Sequence, residues 1–381
     1  MFLTKLPNTG DSIFSVMTRL AGVHGALNLA QGFPDYQPDE ALVELVAKAL
    51  RDGHNQYAPM PGLADLRTQL SSKTKRVYGY QPNPDVEITV TAGATQAIFT
   101  AIAALVSNEQ EVICFDPAYD CYAPAIRVQG ARPIHIPMEF VGGAYRYNWD
   151  MLRARINTRT RMVIINNPHN PAGTVLEKSD LDRIAELLRN TEVAVLADEV
   201  YEHMVYDGKQ HLSMLAHPEL RERSIVVSSF GKTYHNTGWK IGYAIAPDSL
   251  MKEFRKVHQF NVFSVNSPMQ HAYAKWLETD SSYLKLSEFY QAKRDLFLSS
   301  IKSSRFEFLP TAGTYFQLAS YAKISDADDV EFAKTLVSEK GIAVIPVSPF
   351  LQSGENPKLI RFCFAKSNET LNKAAELICG I

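Results

Sequence analysis

Residues 192-EVAVLADEV-200 decide the fold: an unbroken apolar run, Val193 to Ala197, stops at two adjacent carboxylates, Asp198 and Glu199. A strand that is apolar on both faces must be covered on both, whereas a strand at a wet surface alternates. The same grammar recurs to either side, at 88-ITVT-91, 111-EVICFD-116, 161-RMVIINNP-168, 224-SIVVSSF-230 and 239-WKIGYAIA-246. Helical stretches lie between several of these runs. Two are 95-TQAIFTAIAALV-106 and 179-SDLDRIAELLRN-190, the second with Ser179 placed to cap its first turn. Together they predict a doubly wound α/β domain built on a mainly parallel sheet.

After about residue 266 the pattern changes. A long helical stretch runs through Ser300, followed by strands 313-GTYFQLAS-320 and 342-IAVIPV-347, helix 328-DDVEFAKTLVSEKG-341, strand 359-LIRFCFA-365 and a terminal helix. That order reads as a smaller α+β domain. At 381 residues the chain exceeds what one core normally holds. The expected division is 1–28 as an N-terminal arm and part of the small domain, 29–265 as the large domain, and 266–381 as the small one. No repeat, low-complexity tract or linker separates them, so they should pack closely around a cleft.

Bulk properties exclude several classes of function. A formal net charge of -2 leaves no excess for nucleic acid or an anionic membrane, and 46% hydrophobic with 21% charged residues is ordinary for a globular protein. Asn8, Gly10, Asp11 and Arg19 interrupt the first thirty residues, which argues against a secretory signal. No apolar run is long enough to span a bilayer. The four cysteines, Cys114, Cys121, Cys363 and Cys379, show no C-x-x-C spacing, so neither a zinc site nor a disulfide framework is expected, and no metal is. A cytoplasmic location fits that usage.

In an open parallel sheet the strand ends deliver their loops to a common crevice, and four such loops here carry unusual polar content. In 91-TAGATQ-96 a strand passes through Gly93 into a helix beside the Thr95 hydroxyl, either a phosphate cradle or a plain βα turn. In 225-IVVSSFGKTYHNTGWKIG-242, Gly231-Lys232-Thr233 suggests a nucleotide loop, but Val226 stands where that motif needs glycine. What is left is Lys232, either a solvated loop lysine or an amine whose pKa falls beside Lys240 and a bound phosphate, enough to form an imine. Asp198 is costly at the end of an apolar strand without a cationic partner, for which a protonated pyridine nitrogen would serve. Neighbouring strand residues face opposite ways, so Asp198 and Glu199 are not a facing acid pair, and His203 alone is weak support for a metal. The loop 166-NNPHNPAG-173 is stiffened by Pro168 and Pro171 and either holds an amide in a site or is only a turn. Arg361, inside an apolar strand, wants a planar anion: a substrate carboxylate or an interdomain salt bridge.

Taken in order, SSFGKTYHNTGWKIG, NNPHNPAG, ADEVY, 55-NQYAPMPG-62, 116-DPAYDCY-122 and LIRFCFAK resemble the fold-type I pyridoxal phosphate aminotransferases. Within them they are most similar to the kynurenine, glutamine and methionine aminotransferase branch, and the likeness covers nearly the whole chain. The resemblance implies that Lys232 forms the Schiff base and shuttles the proton, that Asp198 pairs with the pyridine nitrogen, and that Asn170 and Tyr201 hydrogen-bond the ring oxygen. It implies Tyr119 stacked on the ring, and Gly93, Ala94, Thr95, Ser229 and Lys240 around the phosphate, joined by Tyr57 of a second subunit in a homodimer. Arg361 would clamp the substrate carboxylate, assisted by Asn170 and backbone near Gly32. Lys240 stands where many members carry arginine, which narrows the subgroup. Phe14 stands where some carry tryptophan near the substrate side chain.

The implied reaction is a ping-pong transfer of the amino group of an uncharged, bulky amino acid, methionine first, then aromatic amino acids or glutamine, to a 2-oxo acid. The nearest alternative is a β-lyase of the same fold acting on cystathionine or cysteine conjugates. A ligand-sensing regulator would need a DNA-binding segment that has no room before residue 30, and an inert cofactor carrier would not need both Lys232 and Arg361.

Overall fold

The computed structural model describes residues 4–7 and 9–381; Met1–Leu3 and Asn8 of the expected N-terminal arm lie outside them. Seven strands build the main sheet: β1 (Ile88–Thr91), β2 (Glu111–Asp116), β3 (Arg132–Pro137), β4 (Thr160–Asn166), β5 (Ala194–Asp198), β6 (Ser224–Ser229) and β7 (Gly242–Ile245). Their spatial order is β1-β7-β6-β5-β4-β2-β3. All neighbours run parallel except β7, which is antiparallel to both β6 and β1.

The apolar runs are buried on both faces by alternation. Val195 and Ala197 join Ile113 and Phe115 in one cluster, while Ala194 and Leu196 join Val112 and Cys114 in the cluster on the opposite face. Each large aliphatic side chain so enclosed contributes about 1.5–3 kcal/mol. The strands end earlier than the quoted stretches, one residue past each apolar run: β4 stops at Asn166, before Pro168, and β5 stops at Asp198. Strand β3 is not evident from the sequence, because Pro133 and Pro137 disguise it. At a sheet edge a missing N–H costs no ladder bond, so it is tolerated there.

Three expected elements are corrected. The helix expected at 179–190 spans Lys178–Leu188 with Glu177, not Ser179, at its N-cap. The Glu177 N–H donates to the Asp180 carboxylate at 2.8 Å, which draws the helix start back and leaves Ser179 inside the first turn. The long helical stretch to Ser300 is two helices, Ser267–Leu277 and Leu286–Ser300, separated where the Ser282 N–H bonds the Asp280 side chain at 2.9 Å. The run 342–347 is two short strands: Ile342–Ala343 pairs with Leu27–Asn28, and Ile345–Pro346 pairs with the strand carrying Arg361.

Helix Ser267–Leu277 packs on helices Glu40–Arg51 and Ala64–Tyr78, and its core continues to Tyr283, whereas Leu286 belongs to a second core that also takes in Leu29 and Ala30. The handover between cores therefore comes between Tyr283 and Leu286 rather than at residue 266. The second core encloses a four-stranded sheet of β8 (Glu307–Phe308), β9 (Phe316–Ser320), β10 (Ile345–Pro346) and β11 (Leu359–Cys363), in the order β8-β9-β11-β10. Among the described residues no helix is long and apolar enough to cross a membrane.

Candidate active site

A cavity of about 290 Å³ opens where β4, β5 and β6 end, with its far wall supplied by β9 and β11 of the other core. Asn166, Asp198 and Ser229, the last residues of those three parallel strands, all line it. This is the crevice that strand ends in an open α/β sheet are expected to form.

One end of the cavity is built for an anion. Gly93 caps helix Ala94–Leu105 with φ 80°, a conformation that favours glycine. The first-turn N–H groups have no carbonyl partner inside the helix, and the helix dipole adds positive charge there. Lys240 reaches the same place, since a Cβ on Gly93 would lie 3.2 Å from its Nζ. Ala94, Thr95 and Ser229 complete this end.

The opposite requirement is met by Asp198. Its Oδ2 accepts from the Tyr122 hydroxyl at 2.6 Å, and burial raises the carboxyl to about 6. Asn166 fixes the strand ends by donating to the Asp198 carbonyl at 2.9 Å. Glu199 turns the other way, accepting from the Met214 N–H at 2.9 Å and pairing with His211 at 3.0 Å.

Lys232 lies in the short turn Phe230–Thr233 that follows β6. Burial lowers its amine to about 8, and Arg361 and Lys240 push the same way against the negative pull of Asp198. Its Nζ donates to the Gly32 carbonyl at 3.0 Å and to the Tyr315 hydroxyl at 2.8 Å. Tyr201 stands edge-on to Tyr315 with centroids 5.2 Å apart, and Tyr119 lines the wall beside Phe14 at 6.4 Å.

Arg361 sits in register between Leu318 and Ile345, only 1% exposed. It donates to the Asn170 side chain at 2.8 Å and to the Ala30 carbonyl at 3.2 Å, while its Nε is buried with no partner. The Phe316 ring lies 3.7 Å from the guanidinium carbon and Phe14 at 5.1 Å. No carboxylate pairs with it among the described residues. A buried guanidinium that lines the cavity beside aromatic rings and lacks a carboxylate partner is suited to a planar anion.

The structure thus gathers Lys232, Asp198, Tyr201, Ala94, Thr95, Tyr119, Asn170, Ser229, Lys240, Arg361, Gly32 and Phe14 around one cavity. Gly93 lies just behind Lys240. Tyr57 does not line the cavity of its own chain; it is 82% exposed and touches Phe263 edge-on at 5.2 Å. Sequence reasoning passed over Tyr122, Tyr315, Phe316 and Gln31. Tyr122 ends the quoted 116-DPAYDCY-122, and Tyr315-Phe316 lies in a run that reads as an ordinary strand, so only the polar tip of Tyr315 hinted at a role.

These groups fit pyridoxal phosphate: an anion cradle at one end, a carboxylate suited to a ring cation at the other, a lysine of lowered pKa between them, and an unpaired buried guanidinium for a carboxylate. The family model for aminotransferase class I and II matches residues 25–378. The methionine aminotransferase of Escherichia coli is 49% identical over 98% of this chain and 96% of its own length. A probable N-succinyldiaminopimelate aminotransferase of Mycobacterium tuberculosis is 35% identical over 98% and 97%, and kynurenine–oxoglutarate transaminase 1 of Mus musculus is 33% identical over 95% and 93%. Among solved structures, an Escherichia coli protein identified as a methionine aminotransferase superposes with TM-score 0.96 at 47% identity, covering 100% of both chains. An aspartate aminotransferase of Thermus thermophilus with maleate gives TM-score 0.90 at 28% identity, covering 100% of this chain and 99% of its own.

Proposed function

Because the chain belongs to the class I and II aminotransferases, we propose that it takes the amino group of an uncharged, bulky amino acid, methionine first and then aromatic amino acids or glutamine, and passes it to a 2-oxo acid. The chain is a transaminase by membership, and that family depends on pyridoxal phosphate. The observation that carries the site assignment is the buried Arg361, which lines the same cavity as Lys232 and pairs with no carboxylate among the described residues.

Bound there, pyridoxal phosphate supplies a carbonyl that captures amines and a ring that withdraws electrons from the substrate Cα. Ala94, Thr95, Ser229 and Lys240 would hold its phosphate, and Asp198, oriented by Tyr122, would keep a positive charge on the ring. Tyr201 and Asn170 would supply hydrogen bonds to the ring oxygen, and Tyr119 would line the ring face. Arg361 grips the substrate carboxylate with two parallel hydrogen bonds, fixing the Cα–H bond before any chemistry. The Lys232 Nζ would take the Cα proton and deliver it to the carbon of the cofactor carbonyl; an amine of pKa about 8 is partly unprotonated at neutral pH and so can act as base. An amino-acid half-reaction followed by a 2-oxo acid half-reaction through one site gives ping-pong kinetics.

The side-chain preference is supported by the relatives and by the lining. Arg361 is the only guanidinium among the described lining residues of this chain, and Phe14, Tyr119 and Phe316 are apolar neighbours, which suits an uncharged side chain. Tyr57 and Phe263 are exposed and meet edge-on, and in a homodimer Tyr57 would reach the phosphate end of a second copy's site. The absence of disulfides among four described cysteines is compatible with a cytoplasmic location. The test is the absorption spectrum of the purified protein before and after L-methionine, with no 2-oxo acid present. A visible band should fade as one equivalent of 2-oxo acid is released. Aspartate turned over well above methionine and phenylalanine would overturn the preference. Pyruvate and thiol released from a cysteine conjugate without any acceptor would instead mark a β-lyase.

A further inference from the structure

Lys232 does not enter the cavity as a loose cation. Its Nζ is 2.8 Å from the Tyr315 hydroxyl and 3.0 Å from the Gly32 carbonyl oxygen, and the Tyr315 hydroxyl is 2.5 Å from that same oxygen. A carbonyl can only accept, and a phenol has one hydrogen to give. The Tyr315 hydrogen therefore goes to Gly32, and the phenol oxygen must accept from Lys232. Both acceptors lie on the same side of Nζ, so its hydrogens are drawn to that side and the lone pair of the neutral amine is turned away from it.

Both partners are themselves fixed. Tyr315 is fully buried, edge-on to Tyr201 at 5.2 Å and to Phe316 at 4.9 Å. Gly32 cannot carry a side chain without moving its neighbour, because a Cβ there would lie 2.8 Å from Phe316 Cζ. The same Phe316 stacks on Arg361, so one aromatic ring sets both the carboxylate clamp and the support of the carbonyl that steers Lys232. Asp198, Lys240 and Arg361 act on Lys232 through charge, and the Tyr201 ring centre lies 5.6 Å from Nζ. None of these makes a hydrogen bond to Nζ among the described residues, so direction comes from Tyr315 and Gly32.

We infer that Tyr315 is a positioning residue for the reaction: its phenol oxygen, held by the Gly32 carbonyl, aims the Lys232 lone pair at the proton that Lys232 carries to and from the substrate. The role rests on the transaminase reading of Lys232, and two measurements keep the failure of one distinct from failure of the other. Tyr315→Phe retains the ring and its edge contacts and removes only the acceptor. In cofactor-free protein, trinitrobenzenesulfonate labelling of Lys232, read on its own peptide across pH, should move to lower pH in the variant. A lost acceptor weakens the ammonium more than the amine. An unchanged labelling profile overturns the inference whatever the enzyme's substrate.

In the holoenzyme, the half-reaction with L-methionine should slow about 10- to 100-fold in Tyr315→Phe while the apparent dissociation constant for methionine stays put. The isotope effect from Cα-deuterated methionine should grow. Equal rates and equal isotope effects in variant and parent overturn the assignment. A parent enzyme inert toward methionine would refute the substrate reading, and the labelling profile would still decide the role of Tyr315.

Discussion

The segment Asp198–Glu202 runs between two buried polar regions that treat charge in opposite ways. Behind it, Glu202 meets Lys73 at 2.9 Å and accepts from the Tyr243 and Tyr78 hydroxyls, while both oxygens of Glu199 are taken by Met214 and His211. Burial works to raise the Glu202 carboxyl, but Lys73 and His203 hold it well below the usual range. In front, Arg361 is buried without a carboxylate, burial raises Asp198 to about 6 and lowers Lys232 to about 8. Both regions are enclosed, so burial alone does not mark a site. The mark is charge without a protein partner: matched groups hold the loop in place, and unmatched groups wait for a ligand.

The largest effect should come from breaking the matched region. Lys73→Met leaves Glu202 charged and uncompensated in the interior and should cost about 3–5 kcal/mol of stability, read from denaturant unfolding. Activity per folded molecule and the cofactor band should persist, because neither side chain reaches the cavity. If activity fell in proportion while stability held, the two regions would be one functional unit and the contrast would break. In the unmatched region, Arg361→Lys replaces a flat two-pronged donor by a point charge. It should lower kcat/KM for methionine about 100- to 1000-fold while cofactor colour stays intact. Loss of the cofactor in that variant would contradict the clamp.

The same contrast explains what the sequence made legible. Glu111–Asp116 was readable to the residue because an apolar run bounded by charged groups has one solution, and Lys232, Asp198 and Arg361 stood out because each is a charge set beside or inside such a run. Tyr315 and Tyr122 did not, since a tyrosine in an apolar segment looks like core and its hydroxyl acquires meaning only from Gly32 or Asp198, distant in sequence. Lys73 was invisible for the same reason, lying 129 residues from Glu202. The capping of Lys178–Leu188 by Glu177 and the break between Leu277 and Leu286 are local competitions among several polar side chains, where spacing gives no unique winner.

The smallest effect divides the two regions at adjacent residues. Folded Asp198 has a pKa of about 6 against an ordinary 3.8, so between those values the folded chain keeps a proton that the unfolded chain has lost. Its contribution is present below about pH 4 and is lost as pH rises through 6, with an upper bound of about 3 kcal/mol. An asparagine side chain in its place would carry no charge and could still accept from Tyr122. Cofactor-free Asp198→Asn should therefore be more stable than the parent by about 1–2 kcal/mol at pH 7, the gain disappearing toward pH 4. Glu199→Gln, one residue on, should lose about 1 kcal/mol, since it weakens a satisfied pair with His211. Thermal midpoints at pH 4.5 and pH 7 compare the two. Added pyridoxal phosphate should reverse the order for Asp198→Asn alone, because only the parent offers a negative charge to the ring. A parent already more stable than Asp198→Asn at pH 7 without cofactor would place Asp198 among the matched charges and remove the cavity's claim to an unpaired carboxylate.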